Sequence, residues 1–386
     1  MIPRKLYAGI GLLTVMYACA SPSQPEQGRA LTAVRPIWLR SVGTPSTGLA
    51  LAAITQTTVI VGGTGALFGL DVVTGREKWR LAVPFDMPRT GIVLLGVANA
   101  VLVSSEGFVT FETETGKVLR SWRDANSLRN PSQTLPILLP DGRVLHASRS
   151  LELLALNPST GRVDTLVRLP GDTARHAYIA SLTLFSDTIY APVASDARRN
   201  PAFKNTVPYR YALRTGVLDS LRPDVSDSAS LARWLIAVPD LLVSGTDYSE
   251  PSWLGFDRST GERRWKVPAT TGSLGPSGQA ALVGDTLFTA GNDGLAYTIH
   301  IPTGRLIRTQ PILNGLATGV ISCGNDVIVN VIGEIVYLSR DGRTRRIVEG
   351  LPEGKAVFSS EFAAGFGIAV IGSAGGDWIA LPCPAP

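Results

Sequence analysis

A strand-turn-strand pattern recurs seven times along this chain and limits its fold more than any other sequence feature. Each copy has a short apolar strand, a Thr-Gly or Asp-Gly turn and a second strand, as in ALFGLDVVTGREKW from Ala66 to Trp79. Successive turn glycines lie 41, 45, 55, 45, 43 and 38 residues apart, a spacing typical of one four-stranded propeller blade. They are Gly75, Gly116, Gly161, Gly216, Gly261, Gly304 and Gly342.

The two ends of the repeat array complement each other. An eighth apolar run, FGIAVIGS from Phe366, leads into the strand Asp377–Leu381, which contains Trp378 and has no glycine turn after it. Near the N-terminus, the residues from Pro36 to Val42, which include Trp38, resemble a strand that follows such a turn. Pairing of these strands would close a ring and remove its exposed edges. The sequence therefore predicts an all-β, eight-bladed β-propeller of four-stranded antiparallel blades, with seven blades as the alternative.

The best-preserved copies resemble a known repeat. The pattern LDxxTGRxxW from Leu70 to Trp79, and FDxxTGExxW from Phe256 to Trp265, resemble the repeat of the pyrroloquinoline-quinone (PQQ) dehydrogenases, in which an aromatic side chain docks between blades. The resemblance implies structural roles for the tryptophans of the blade motifs. These are Trp38, Trp79, Trp122, Trp265 and Trp378.

The N-terminus resembles an export signal. Arg4 and Lys5 precede an apolar stretch from Leu6 to Ala18, and the residues VMYAC ending at Cys19 resemble a bacterial lipobox, whose cysteine is lipidated. Ordinary signal-peptidase cleavage near Ala18 or Ala20 is the alternative. We expect residues 1–18 to be a signal peptide, 19–34 a lipidated tether and 35–386 the propeller. By resemblance to lipoprotein sorting, the expected location is the periplasmic side of the outer membrane.

Three histidines, His146, His176 and His300, lie in different repeats with no metal-ligand spacing. The vicinal cysteine pair typical of PQQ dehydrogenases is missing. A formal charge of +5 is spread over 386 residues without a basic cluster, which argues against nucleic-acid binding. We therefore expect a monomeric propeller without a cofactor, a metal or an enzymatic activity.

Two further cysteines form a candidate disulfide. Cys323 ends the first strand of blade 7, and Cys383 lies near the C-terminus. Alternate strands of a blade run parallel, so both residues would reach the same face, although neighbouring blades do not guarantee the required Cα separation.

The 55-residue spacing predicts an insertion in blade 4. The surplus runs from Pro192 to Pro208 and contains Arg198, Arg199 and Lys204. Loops on a rigid ring often bind partners, so this insertion is a candidate interaction loop, with a solvated loop as the alternative.

A lipoprotein made of one such propeller resembles the BamB family, which assists outer-membrane protein assembly. The resemblance implies a non-catalytic scaffold for protein-protein interaction. A periplasmic ligand-binding or sensing propeller is the alternative, and a PQQ-dependent dehydrogenase is less favoured.

Overall fold

The structure is a computed structural model of the chain. It describes residues 33–43, 52–63, 65–83, 91–104, 107–123, 134–148, 150–171, 177–194, 207–221, 231–246, 252–269, 280–291, 293–312, 317–331, 334–341, 345–349, 351, 358–373 and 375–384. Thr32–Pro386 form one compact unit, and within its described part all regular structure is β-strand.

Eight antiparallel sheets follow one another as the blades of a propeller, which confirms the predicted fold class. The first four blades consist of β2 (Ala52–Ile54), β3 (Thr58–Gly63), β4 (Ala66–Asp71) and β5 (Glu77–Ala82); β6 (Gly91–Leu95), β7 (Asn99–Val103), β8 (Gly107–Glu112) and β9 (Val118–Arg123); β10 (Ile137–Leu138), β11 (Val144–Ala147), β12 (Glu152–Leu156) and β13 (Val163–Arg168); and β14 (Tyr178–Ile179), β15 (Thr183–Phe185), β16 (Thr188–Ala194), β17 (Val207–Ala212) and β18 (Leu218–Ser220).

Blades 5 to 8 complete the ring. They consist of β19 (Leu231–Ala237), β20 (Leu241–Thr246), β21 (Ser252–Asp257) and β22 (Arg263–Pro268); β23 (Ala281–Val283), β24 (Thr286–Ala290), β25 (Leu295–His300) and β26 (Arg305–Pro311); β27 (Ala317–Cys323), β28 (Asp326–Val331), β29 (Glu334–Ser339) and β30 (Arg345–Ile347); and β31 (Phe358–Gly365), β32 (Ile368–Ser373), β33 (Asp377–Pro382) and β1 (Trp38–Ser41).

The N-terminal strand completes the last blade, as the sequence predicts. β1 pairs antiparallel with β33, with Trp38 opposite Ala380 and Arg40 opposite Trp378. Val34, just before β1, forms a parallel bridge with Val348 after β30. The ring has eight blades, so the seven-blade alternative is wrong.

The repeated glycine turn joins the third and fourth strands of a blade. In blade 1 the Gly75 amide donates to the Asp71 carbonyl at 2.9 Å, and the Asp71 carboxylate accepts from the backbone amide of Thr74 at 2.8 Å. Gly75 has a φ of 67°, a left-handed conformation that costs glycine least. This local chemistry explains why Thr-Gly or a related dipeptide recurs in the first seven blades.

The antiparallel order places two kinds of turn on one face of the ring. The described turns between strands one and two of a blade, and between strands three and four, lie on this side, which we call the hairpin face. The opposite ends of the same strands define the other face.

Tryptophans of the fourth strands join neighbouring blades. Trp79 lies flat on Gly69 of its own blade and against turn glycine Gly116 of blade 2, and its Nε1 donates to the Thr113 carbonyl at 3.0 Å. A methyl group on Gly116 would lie 2.6 Å from the Trp79 ring, so the contact needs glycine there. The same arrangement pairs Trp38 with Gly75, Trp122 with Gly161 and Trp265 with Gly304.

Where the sequence lacks this tryptophan, the contact is looser. Blade 3 carries Leu166 near the tryptophan position, and the closest atom to a methyl group built on Gly216 of blade 4 is the Tyr211 hydroxyl oxygen, at 3.8 Å. Trp378 differs again, because it lies in the third strand of blade 8 and is fully buried between blades 8 and 1.

Blade 4 departs from the predicted boundaries of its insertion. β16 continues to Ala194 and β17 begins at Val207, so Pro192 and Pro208 pair with each other within the sheet. The connection is therefore shorter than predicted, at residues 195–206. Blade 4 also has a fifth short strand, because β14 and β15 both pair with β16.

Candidate functional site: the hairpin face

Several predicted site residues lie outside the described residues. These are Cys19, Arg198, Arg199, Lys204 and Gly342.

The structure brings Cys323 and Cys383 together on the hairpin face. Their sulfur atoms form a disulfide, and their Cα atoms are 4.8 Å apart. Cys323 ends β27 of blade 7, and Cys383 follows β33 of blade 8 and donates its amide to the Gly367 carbonyl at 2.8 Å. The bond thus ties blade 7 to the blade that the N-terminal strand completes.

Three apolar side chains project from turns of the hairpin face in consecutive blades. Phe366 lies in the first turn of blade 8, Val73 in the glycine turn of blade 1 and Val97 in the first turn of blade 2. Their exposed fractions are 62%, 68% and 86%. Single exposed apolar residues are common, and these three are notable because they stand on one face of consecutive blades.

Phe366 also has an unfavourable backbone. Four blades join their first two strands by two-residue loops, and the first loop residue is Ser186, Gly284, Gly324 or Phe366, with a positive φ each time. In blade 8 Gly367 also has a positive φ, as a type I′ turn requires, and the residues favoured before that glycine are Asn and Asp. The sequence signal was therefore Phe-Gly where Asn-Gly is usual, and our sequence reasoning missed it.

A charged cluster joins blades 1 and 2 on the same face. Lys78 Nζ lies 2.5 Å from a carboxylate oxygen of Glu114, whose other oxygen accepts from the Thr58 hydroxyl at 3.0 Å. Burial alone would raise the pKa of Glu114, but the hydrogen bonds from Lys78 and the threonine hydroxyls outweigh it and hold the pKa at about 2. A carboxylate held ionised in this way links blades and is a poor proton acceptor.

The described residues contain no group of three His, Cys, Asp or Glu side chains placed to hold a metal ion. Nor do they include a helix long and apolar enough to cross a membrane.

His146 is a buried titratable group. It lies in β11 opposite Leu154, is 3% exposed, and neither ring nitrogen has a hydrogen-bond partner among the described residues. Burial lowers its pKa to about 4 because the low-dielectric interior disfavours the imidazolium form. His146 is therefore neutral at pH 7.

We predict that His146 makes the fold sensitive to mild acid. The unfolded chain binds a proton near pH 6.5 and the folded chain only near pH 4, so unfolding free energy should fall as pH drops through this window, by about 3 kcal/mol in total. Urea unfolding between pH 7 and pH 4 measures the loss. His146→Leu should flatten the profile, whereas His300→Gln, at a half-buried histidine bonded to Thr303, should keep it. An unchanged profile in His146→Leu would contradict the assignment.

Residues 26–196 match a family model described as outer membrane protein assembly factor BamB. The chain resembles the BamB family. This resemblance covers the N-terminal part of the chain, including blades 1 to 3 and the beginning of blade 4. A search of curated proteins finds no match.

Solved structures agree on the fold. BamB from Moraxella catarrhalis is 14% identical, with 86% of this chain and 81% of that chain covered and a TM-score of 0.52. The computationally designed protein Ika8 is 14% identical, with 91% and 99% covered and a TM-score of 0.65. Sqt1 from Saccharomyces cerevisiae is 9% identical, with 92% and 99% covered and a TM-score of 0.66. At these identities the likeness to BamB and to the other propellers concerns the fold alone.

Proposed function

We propose that this chain is a non-catalytic, BamB-like scaffold that binds a protein partner in outer-membrane protein assembly. The single observation that carries the proposal is the row of exposed apolar turn residues Phe366, Val73 and Val97 on the hairpin face. A closed ring of paired blades changes shape little, so such turns form a preorganised surface. The family match over residues 26–196 supports the choice of process.

Phe366 is the central residue of the proposed contact. A phenylalanine at a left-handed position costs the fold about 1 kcal/mol relative to asparagine, because its Cβ crowds the backbone. Bulky residues in such positions persist where another requirement outweighs the strain. Aromatic anchors commonly provide much of the affinity at protein interfaces. Binding of Phe366 to a partner would account for a phenylalanine at this strained position.

The Phe366→Asn variant should therefore separate stability from binding. We expect unfolding free energy to rise by about 1 kcal/mol, because asparagine suits the turn. Co-purification of the barrel-inserting outer-membrane protein from native membranes in mild detergent should fall about tenfold or more. Ile307→Asn is the control, since Ile307 is also exposed but lies on outer strand β26. Undiminished co-purification with Phe366→Asn would refute the contact at this residue, and no co-purification with the unmodified protein would refute the proposed process.

We also propose a lipid anchor at Cys19 and a periplasmic location at the outer membrane. Both rest on the lipobox-like residues before Cys19 and on the family resemblance. Mass spectrometry of the N-terminal peptide of membrane-extracted protein tests the anchor. Diacylglyceryl-modified Cys19 at the N-terminus is the expected form, and an unmodified N-terminus elsewhere would overturn it.

A further inference from the structure

A pocket opens on the hairpin face between blades 5 and 6, with a volume of about 370 Å³. It lies across the ring from blade 1 and therefore from the Phe366, Val73 and Val97 surface. Its walls are the first turns of blades 5 and 6, the glycine turn of blade 6, and Asp257 and Arg264 on the two strands that flank the glycine turn of blade 5. A volume of this size accommodates one or two side chains or a small ligand.

The floor of the pocket is the uncovered end of an interblade core. Leu241 and Ile301 belong to the apolar cluster that also contains Trp265, and they are 7% and 2% exposed. Leu282 stands at the mouth and is 37% exposed, and the rings of Pro239 and Pro302 add apolar wall. An apolar group that enters the pocket would thus extend a core already packed between the blades.

Backbone hydrogen bonds hold the walls in place. The Val238 amide donates to the Leu241 carbonyl at 2.9 Å, and the Arg258 amide donates to the Asp240 carbonyl at 2.9 Å. In blade 6 the Ile301 amide donates to the Asp285 carbonyl at 2.8 Å. The pocket is therefore preformed, which lowers the entropy cost of binding.

The rim carries an excess of negative charge. The Asp257 carboxylate stays ionised, because Ser259 and then Arg264 donate to it and lower its pKa, and Arg264 compensates its charge. Asp240 and Asp285 are exposed at the rim, and their carboxylates make no hydrogen bond or salt bridge among the described residues, although Arg264 interacts electrostatically with Asp240. Three carboxylates against one guanidinium favour a cationic ligand.

We propose that this pocket binds an aliphatic group that ends in a cation, supplied by a partner segment in which Arg or Lys lies next to an apolar residue. The apolar side chain covers Leu241 and Ile301, and the cation lies between Asp240 and Asp285. The inference rests on the proposed scaffold function, to which it adds a second contact and its chemistry. A small amphiphilic amine shares this chemistry, and the experiment distinguishes the two sources.

The test uses fluorescence anisotropy of the purified full chain with labelled peptides. The probe is a fluorescein-labelled peptide of sequence GLRLRG, with GLELEG as the charge-reversed control. We expect saturable binding of the first peptide only, weakened several-fold when NaCl is raised from about 50 mM to about 500 mM because salt screens exposed charges. Binding of both peptides alike, or of neither at about 1 mM protein, would overturn the proposal.

Variants locate the site. The double variant Asp240→Asn, Asp285→Asn, which removes both exposed rim carboxylates, should lower the affinity for the GLRLRG peptide about five- to tenfold. The Leu282→Ser variant should also lower this affinity, because it removes apolar contact area without changing the charge. The matched control is Asp187→Asn, at the loop position in blade 4 that corresponds to Asp285 in blade 6. Equal affinity of the double variant and the unmodified protein would overturn the proposal, and unchanged urea unfolding shows that each variant is folded.

The source of the cation is decided with hexylammonium chloride. Displacement of the GLRLRG peptide by hexylammonium only at concentrations far above that of the peptide supports a polypeptide segment as the occupant. Binding of hexylammonium without any binding of the peptide would overturn the assignment of a protein segment. The Phe366→Asn experiment is separate from these measurements, so a failure of the pocket leaves the scaffold proposal standing.

Discussion

Trp79→Ala is expected to lower the free energy of unfolding by about 3 to 5 kcal/mol, the loss typical of removing a large aromatic side chain from a packed core. The ring is 8% exposed, packs on Gly69 and Gly116, and meets Phe111 edge-on at 5.8 Å between centroids. Its removal also deprives the Thr113 carbonyl of the indole donor. Urea unfolding followed by far-ultraviolet circular dichroism measures the change.

Two variants control this prediction. Val73→Ala changes an exposed apolar residue in the adjoining glycine turn, and we expect an effect within about 0.5 kcal/mol. Gly116→Ala keeps Trp79 but places a methyl group against its ring at a left-handed position, so it should also destabilise. A loss below about 1 kcal/mol in Trp79→Ala would show that this tryptophan does not hold blades 1 and 2 together.

Removal of the disulfide should have an effect of similar size. The Cys323–Cys383 bond closes a loop with a sequence separation of 60 residues, so the chain-entropy model gives a stabilisation of about 4 kcal/mol. The Cys323→Ala, Cys383→Ala double variant should lose about this free energy of unfolding in urea. Full reduction of the unmodified protein should produce a comparable loss.

The position of the disulfide predicts which blades become less stable first when the bond is removed. Cys383 follows β33, which pairs with β1 to close the ring, and the Tyr337 hydroxyl of blade 7 donates to the nearby Pro382 carbonyl at 2.9 Å. Hydrogen exchange should therefore rise first in blades 7 and 8 of the double variant. Equal stability of the reduced and oxidised proteins, or equal exchange in all blades, would contradict the proposed role of the disulfide.

Much of the fold could be predicted from the sequence because its signals are local. Gly75 and its counterparts recur since each glycine turn needs a left-handed residue, and Trp79 recurs since it fits over glycine in the next blade. The closure by the strands of Trp38 and Trp378 was predictable because the last repeat lacks its fourth strand and an extra strand precedes the first repeat. The predicted boundaries of the blade 4 insertion were wrong, because Pro192 and Pro208, together with Val193 and Val207, still pair in the sheet.

The candidate site was less accessible to sequence reasoning. Phe366, Val73 and Val97 lie in different repeats, and they share one face only because the blades close into a ring. Asp240 and Asp285 likewise come from separate blades, and neither stands out in a chain with 31 acidic residues. His146 has an ordinary strand context, and only the packing of neighbouring blades removes it from water.

The sequence by itself determined the repeat and the turn chemistry, and it favoured eight blades closed by the N-terminal strand, because each of these depends on residues within one blade or its immediate neighbour. Only the tertiary structure decided which turns share a face, which apolar core remains uncovered between blades 5 and 6, and which carboxylates keep no partner among the described residues. The physical reason is that a surface site is assembled across blades, where distances depend on closure of the whole ring.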